Sequence, residues 1–204
     1  MARASSTKSA IRFTATLLQP RSAGRTASQG AGQGASGDGD WTFLLLPRPA
    51  SAKLSSRGQV TVDGAFNGAA FRATLEPDGQ GGHWLMVERR LRQAAGAEVG
   101  DVVTLELTPV SPDQEPEPRV PADLRKALAT APQKARDVWA DVTPIARRDW
   151  IHWIVSAKKD ETRAKRIATA CEMLAKGKRR PCCFDRSGMY GKSLSCPVAD
   201  DESQ

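Results

Sequence analysis

The chain has 204 residues, 30 of them Lys or Arg against 23 Asp or Glu, for a formal net charge of +7. That length suits one large domain or two small ones, and the charge draws anions without placing the cations on one face, as a nucleic-acid binder requires. No run of eighteen apolar residues is present, which excludes a membrane-spanning helix. The N-terminus has no continuous apolar stretch of the export type, so a cytoplasmic protein with reduced thiols is expected.

Residues 1–10 are small, polar and basic, and are expected to form a flexible N-terminus. From Ile11 the chain alternates in strand fashion, with Ile11, Phe13, Ala15 and Leu17 on one face. Residues 21–40 are rich in Gly, Ser, Ala and Gln and bury too little to offset their ordering entropy, which makes them a flexible hairpin loop. Trp41 to Leu46 resumes the sheet, Pro47 and Pro49 stop it, and Ala50 to Leu54 is expected to make one or two helical turns. A strand from Val60 turns at Asn67-Gly68, the dipeptide best suited to a type I′ hairpin. A further turn follows at Pro77-Asp78-Gly79. The run Trp84 to Val87, a short helix around Leu91 ended by Gly96, and a strand from Val102 to Leu107 complete the half.

An internal repeat runs through this half. Phe13-Thr14-Ala15-Thr16-Leu17 matches Phe71-Arg72-Ala73-Thr74-Leu75, Trp41 aligns with Trp84, and Gly58 before Val60 aligns with Gly100 before Val102. Two copies of strand, turn, strand, short helix, Gly turn and strand leave faces and edges that neither satisfies alone, so they are expected to pair into one β-barrel over residues 11–107. Residues 108–119 then carry four prolines and three acids, the composition of a stiff acidic linker.

Residues 120–180 have helical periodicity. Pro121 suits a first turn with Leu124 and Leu128 behind it, and a second helix starts near Pro132 with Ala135, Val138 and Trp139 on one stripe. Thr143-Pro144 caps a third carrying Trp150, Ile151 and Ile154, and Asp160 caps a fourth with Ile167, Cys171 and Leu174, closed by Gly177. Helices this short need one another, so a small bundle with a core of Trp139, Trp150 or Trp153 and Leu174 is expected. Residues 181–204 form a basic, Cys-containing tail.

The segment Trp150-Ile151-His152-Trp153-Ile154, followed by Ala157-Lys158-Lys159-Asp160-Glu161-Thr162-Arg163-Ala164, Arg166-Ile167, Glu172-Met173-Leu174 and Gly177-Lys178, resembles the bacteriocin-protection, YdeI or OmpD-associated proteins. The first half, with Arg57-Gly58, Gly64, Asn67-Gly68, Phe71, Leu75, His83, Arg92 and Gly100-Asp101, is similar to the domain of unknown function often fused to that module. The resemblance implies a double-split β-barrel distantly similar to AbrB-type swapped-hairpin domains. The family name records protection against bacteriocins or antimicrobial peptides and brings no defined catalytic or ligand residue. The chain departs from the pattern in its long 21–40 loop.

The fold class expected is therefore α+β in two domains: a double-split β-barrel built from an internal repeat, and a small helical bundle. No nucleophile with a base, carboxylate pair, phosphate loop or metal motif is legible, so neither an enzyme nor a cofactor is expected. Cys171, Cys182, Cys183 and Cys196 lack the spacing of a zinc knuckle, and Cys171 falls on an apolar stripe. Cys182 and Cys183 follow a basic run that favours thiolate, which makes them the candidates for a redox sensor. Lys178, Arg179 and Arg180 are one candidate set for an anion or nucleic acid, and Arg89, Arg90 and Arg92 on the short helix are the other. His83 and His152 are expected to be satisfied histidines rather than catalysts. The function expected is non-enzymatic binding or stress protection, with a protein, peptide or anionic ligand as partner. A nucleic-acid or transcription role through the barrel is the alternative, and a thiol sensor the third.

Overall fold

In a computed structural model, the structure describes residues 10–21, 41–182, 185–187, 189 and 196–200. Most of the 1–10 terminus, the 21–40 loop beyond Arg21, and Cys183 lie outside the described residues. The fold is α+β, and its contacts divide the described chain into two compact units. One runs to Ser111 and takes in the residues from Arg186 onward; the other is Pro112–Asp185.

The first unit is a curled antiparallel sheet. Among the described residues its strands are β1 (Ile11–Thr16), β2 (Trp41–Leu45), β3 (Val60–Phe66), β4 (Ala69–Pro77), β5 (His83–Glu88) and β6 (Val102–Pro109), in the spatial order β1-β6-β3-β4-β5-β2. Alternation gives the sheet one apolar face. Ile11, Leu17, Leu44, Val62, Leu75, Leu85, Leu105 and Leu107 all turn to the concave face and form one buried core. The tight β3–β4 hairpin is made at Asn67-Gly68, with φ of 45° and 88°, and the Asn67 carboxamide oxygen accepts from Thr104 N–H at 2.8 Å. Helix α1 spans Arg48–Ser51, two residues ahead of the expected start, because Pro47 at its cap and Pro49 in its first turn have φ suited to a helix entry and no N–H to lose there. Helix α2 spans Arg89–Ala94 and closes at Gly96, φ 59°.

The second unit holds helices α3 (Ala122–Thr130), α4 (Gln133–Asp141), α5 (Pro144–Val155) and α6 (Asp160–Ala175). Leu124, Leu128, Ala135, Trp150, Ile154, Ile167, Ala170 and Leu174 form its core, with Trp139, Trp153 and Cys171 packed against it. The Thr143 hydroxyl accepts from Ala146 N–H at 3.3 Å, the cap expected for α5. Two caps differ from expectation. Pro121 sits before α3 with ψ 147°, outside the first turn. Asp160 is the first residue of α6, where its charge complements the dipole, and Lys159 holds the cap position. Gly177, at φ 81°, ends α6 in a Schellman turn: Lys178 N–H reaches Met173 C=O at 2.9 Å and Gly177 N–H reaches Leu174 C=O at 2.8 Å.

The acidic segment ahead of α3 is anchored to this unit. After a 3-10 turn at Pro112–Gln114, Glu115 pairs with Arg148 and Glu117 with Arg147 at 2.5 Å. Arg147 also donates to the Trp139 and Ala140 carbonyls at 3.0 and 2.6 Å, meeting the open C-terminal end of α4.

A candidate binding cleft beside β1

Among the described residues, the edges of β1 and β2 meet at one bridge, two residues past the end of β1. Leu18 and Phe43 exchange both backbone hydrogen bonds, at 2.8 and 2.9 Å. One step further along the same register the two strands part, because Leu45 is followed by Leu46 and then Pro47, where the chain leaves the sheet for α1. The gap is an open cleft of about 760 Å³, within the range of about 300–1,000 Å³ usual for ligand pockets. Thr14, Thr16, Leu18, Leu45, Pro47 and Val99 are among its lining residues. Leu45 is 44% and Val99 38% exposed, and Val102, opposite Thr16 on β6, is 69% exposed. Arg48 stands at the rim, with its guanidinium donating to the Gln80 carbonyl at 2.5 Å.

Beyond α1 lies a buried polar pair. His83, 1% exposed, holds its Nδ1 2.5 Å from the Ser51 hydroxyl and its Nε2 3.0 Å from the Gly58 carbonyl. A carbonyl only accepts, so Nε2 carries the proton and Nδ1 accepts from Ser51. Burial holds the imidazole below its ordinary range. With both ring nitrogens used and no opening to solvent, the pair ties α1 to β5.

The candidate residues disperse. On α2, Arg89 and Arg90 are exposed, whereas Arg92 is buried at 9% exposure. In the helical unit Lys178 is exposed, Arg179 pairs with the Asp141 carboxylate and donates to the Asp141 carbonyl at 3.0 Å, and Arg180 pairs with the buried carboxylate of Asp149. Two of the three cations expected to meet an anion are thus engaged with this unit's own acids. Cys182 is exposed and Cys171 half-buried; Cys196, half-buried in the sheet unit, has its thiol pushed up to about 12 by burial and then by the Asp78 charge. Among the described residues no group of three His, Cys, Asp or Glu is gathered as a metal site, and no helix is long and apolar enough to cross a membrane.

The cleft was not foreseen from the sequence. Its one legible sign is Pro47 directly behind an apolar strand, which denies β2 the next rung of a ladder.

These features define an α+β protein with a curled sheet, an open apolar cleft at its edge, and a separate helical unit. Residues 13–107 match the family model described as domain of unknown function (DUF1905), and residues 117–177 match the one described as bacteriocin-protection, YdeI or OmpD-associated. The resemblance read from the sequence holds at both segments, in that order along the chain. No curated protein matches the chain.

Proposed function

We propose that this is a non-enzymatic binding protein of the YdeI/OmpD-associated kind, with the cleft beside β1 as its ligand seat and a protein or peptide as its partner. The observation that carries this reading is an open cleft of about 760 Å³ with Leu45 and Val99 exposed in its lining, since ligand seats are concave and mostly apolar. The bacteriocin protection in the family's description fits a protein that works by sequestering or shielding a polypeptide. The finer fold reading, a double-split AbrB-like barrel from a duplicated unit, is supported by the order strand, strand, helix, strand occurring twice. It is supported too by β4 pairing with β3 as β1 does with β6, and by β5 pairing with β2.

Selection from a phage-displayed library of random decapeptides tests it. The full chain enriches peptides that Val99→Glu and Leu45→Glu variants do not retain, while the variants keep the wild-type circular dichroism. Equal enrichment by folded variants would remove the cleft from this role.

The nucleic-acid reading keeps one specific observation, the adjacent exposed Arg89 and Arg90 on α2. Anisotropy of labelled duplex DNA at low and physiological salt separates it from the first. Peptide capture in an apolar cleft is nearly indifferent to salt, whereas phosphate contacts weaken steeply.

A further inference from the structure

We infer that the cleft receives its ligand as an added β-strand, an extended peptide hydrogen-bonded along the outer edge of β1. This rests on the peptide-binding reading above and states how the peptide is held. The backbone directions of β1 follow from its partners. Leu17 gives its N–H to Asp101 C=O at 2.9 Å and takes Gly100 N–H at 2.8 Å, and the β1–β6 register sets Ala15 opposite Val103 and Phe13 opposite Leu105. Odd-numbered residues of β1 therefore turn their N–H and C=O toward β6, and Arg12, Thr14, Thr16 and Leu18 turn theirs outward.

Leu18 satisfies its outward pair on Phe43. The next rung would join Thr16 to Leu45. Leu45 does face that way, because Leu46 N–H goes to His83 C=O at 2.9 Å and the alternation sets its neighbour opposite, yet among the described residues no Thr16–Leu45 bond forms. The rung after it would set Thr14 against Pro47, which has no N–H to give. Among the described residues, Thr14 and Thr16 thus present a donor and an acceptor each into the cleft, spaced two residues apart along a strand.

Only an extended backbone repeats donors and acceptors at that spacing. A helix has already used its own, and a small anion cannot span two rungs. The cleft wall then chooses side chains at alternate positions of the incoming strand, and Leu18, Leu45 and Val99 favour apolar ones. The chain itself uses this kind of capture at the end of the same strand run. Arg21 N–H reaches Val198 C=O at 2.7 Å and Asp200 N–H reaches Gln19 C=O at 2.9 Å, so residues 198–200 meet residues 19–21 in one isolated antiparallel bridge, Pro20 opposite Ala199.

The test uses the full chain and decapeptides enriched by it over Leu45→Glu. Each peptide is synthesised with N-methyl groups on one alternate set of residues, then on the other. One set weakens binding by about tenfold or more and the other by less than threefold, since only one face of a strand points at its neighbour. Amide hydrogen exchange at Thr14 and Thr16, which have no outward backbone partner among the described residues, is fast in the free protein and slows by about tenfold in the complex, and slow exchange already in the free protein overturns the proposal. Equal loss or no loss from both methylation patterns, or Thr14 and Thr16 amides still open in the complex, overturns the strand mode and leaves a peptide-binding cleft. No Leu45-dependent peptide at all overturns both readings. Protection of those amides that grows with protein concentration alone would assign the edge to a second copy of the chain, and overturns the peptide mode.

Discussion

At the scale of single residues, packing and burial set the behaviour of groups that look interchangeable on paper. Gly64 lies mid-strand in β3, where a Cβ would stand 2.4 Å from the Glu106 carbonyl and 2.9 Å from the Leu107 side chain. Gly64→Ala must part β3 from β6, and is expected to cost about 2–4 kcal/mol as a lowered urea midpoint; a wild-type midpoint would contradict that close approach. His152, on α5, is held down to about 4 by burial and then by the Arg148 charge. Above pH 6.5 both folded and unfolded states are neutral there, so stability is full. Between pH 6.5 and about 4 the unfolded chain takes up a proton the native helix refuses, and the helical unit loses stability on the order of 3 kcal/mol. Urea unfolding from pH 7.5 to 4.5 reads this loss, and His152→Gln flattens it. The thiols divide the same way. Iodoacetamide at neutral pH is expected to mark Cys182 ahead of Cys171 and Cys196, because burial raises both of the latter and leaves little thiolate. Faster labelling of Cys196 than Cys182 would contradict its burial.

At the scale of elements, the helical unit is held by guanidinium groups that close its ends and cross its helices. Arg163 grips Asp123 at 2.6 and 3.1 Å, joining α6 to α3, and the exchange lowers the Asp123 carboxyl below its ordinary range. Arg166 lies 5.5 Å over the Trp153 ring and donates to the Ser156 hydroxyl at 2.9 Å, joining α6 to α5. Neighbours in sequence have unequal weight here. Asp149 is 5% exposed at its side chain, so Arg180→Ala strips charge compensation from a buried carboxylate and is expected to destabilise the unit by about 1–3 kcal/mol. Arg179→Ala breaks a pair with the exposed Asp141, and its urea midpoint stays near wild type. Equal effects from the two would mean that Asp149 does not depend on Arg180 for its charge compensation. On α2 the burial of Arg92 leaves two outward cations, so any duplex DNA bound through that helix is expected to show a log–log salt slope no steeper than about −2. A slope several times larger would bring in cations from elsewhere and favour the nucleic-acid reading.

At the scale of the whole molecule, the strand and helix boundaries were legible where local chemistry is decisive. Asn67-Gly68, Gly96 and Gly177 adopt the positive φ their turns need, and alternation put Ile11 and Leu17 in the sheet core. Periodicity likewise put Trp150 and Leu174 in the helical core. The family segments were legible too, because they rest on residue identities in order. The cleft was not: it depends on which edges the curled sheet brings near each other, β1 and β2, which are separated by residues 17–40 in the chain. The fates of the cations were equally hidden, since Arg179 and Arg180 find Asp141 and Asp149 through helix packing and not through sequence spacing. By itself the sequence determined turns, periodicities, composition and kinship, all of which arise from neighbours along the chain. Tertiary structure alone decided which charges are neutralised, which histidines are dry and which strand edges come near each other, because those depend on groups that only folding brings together.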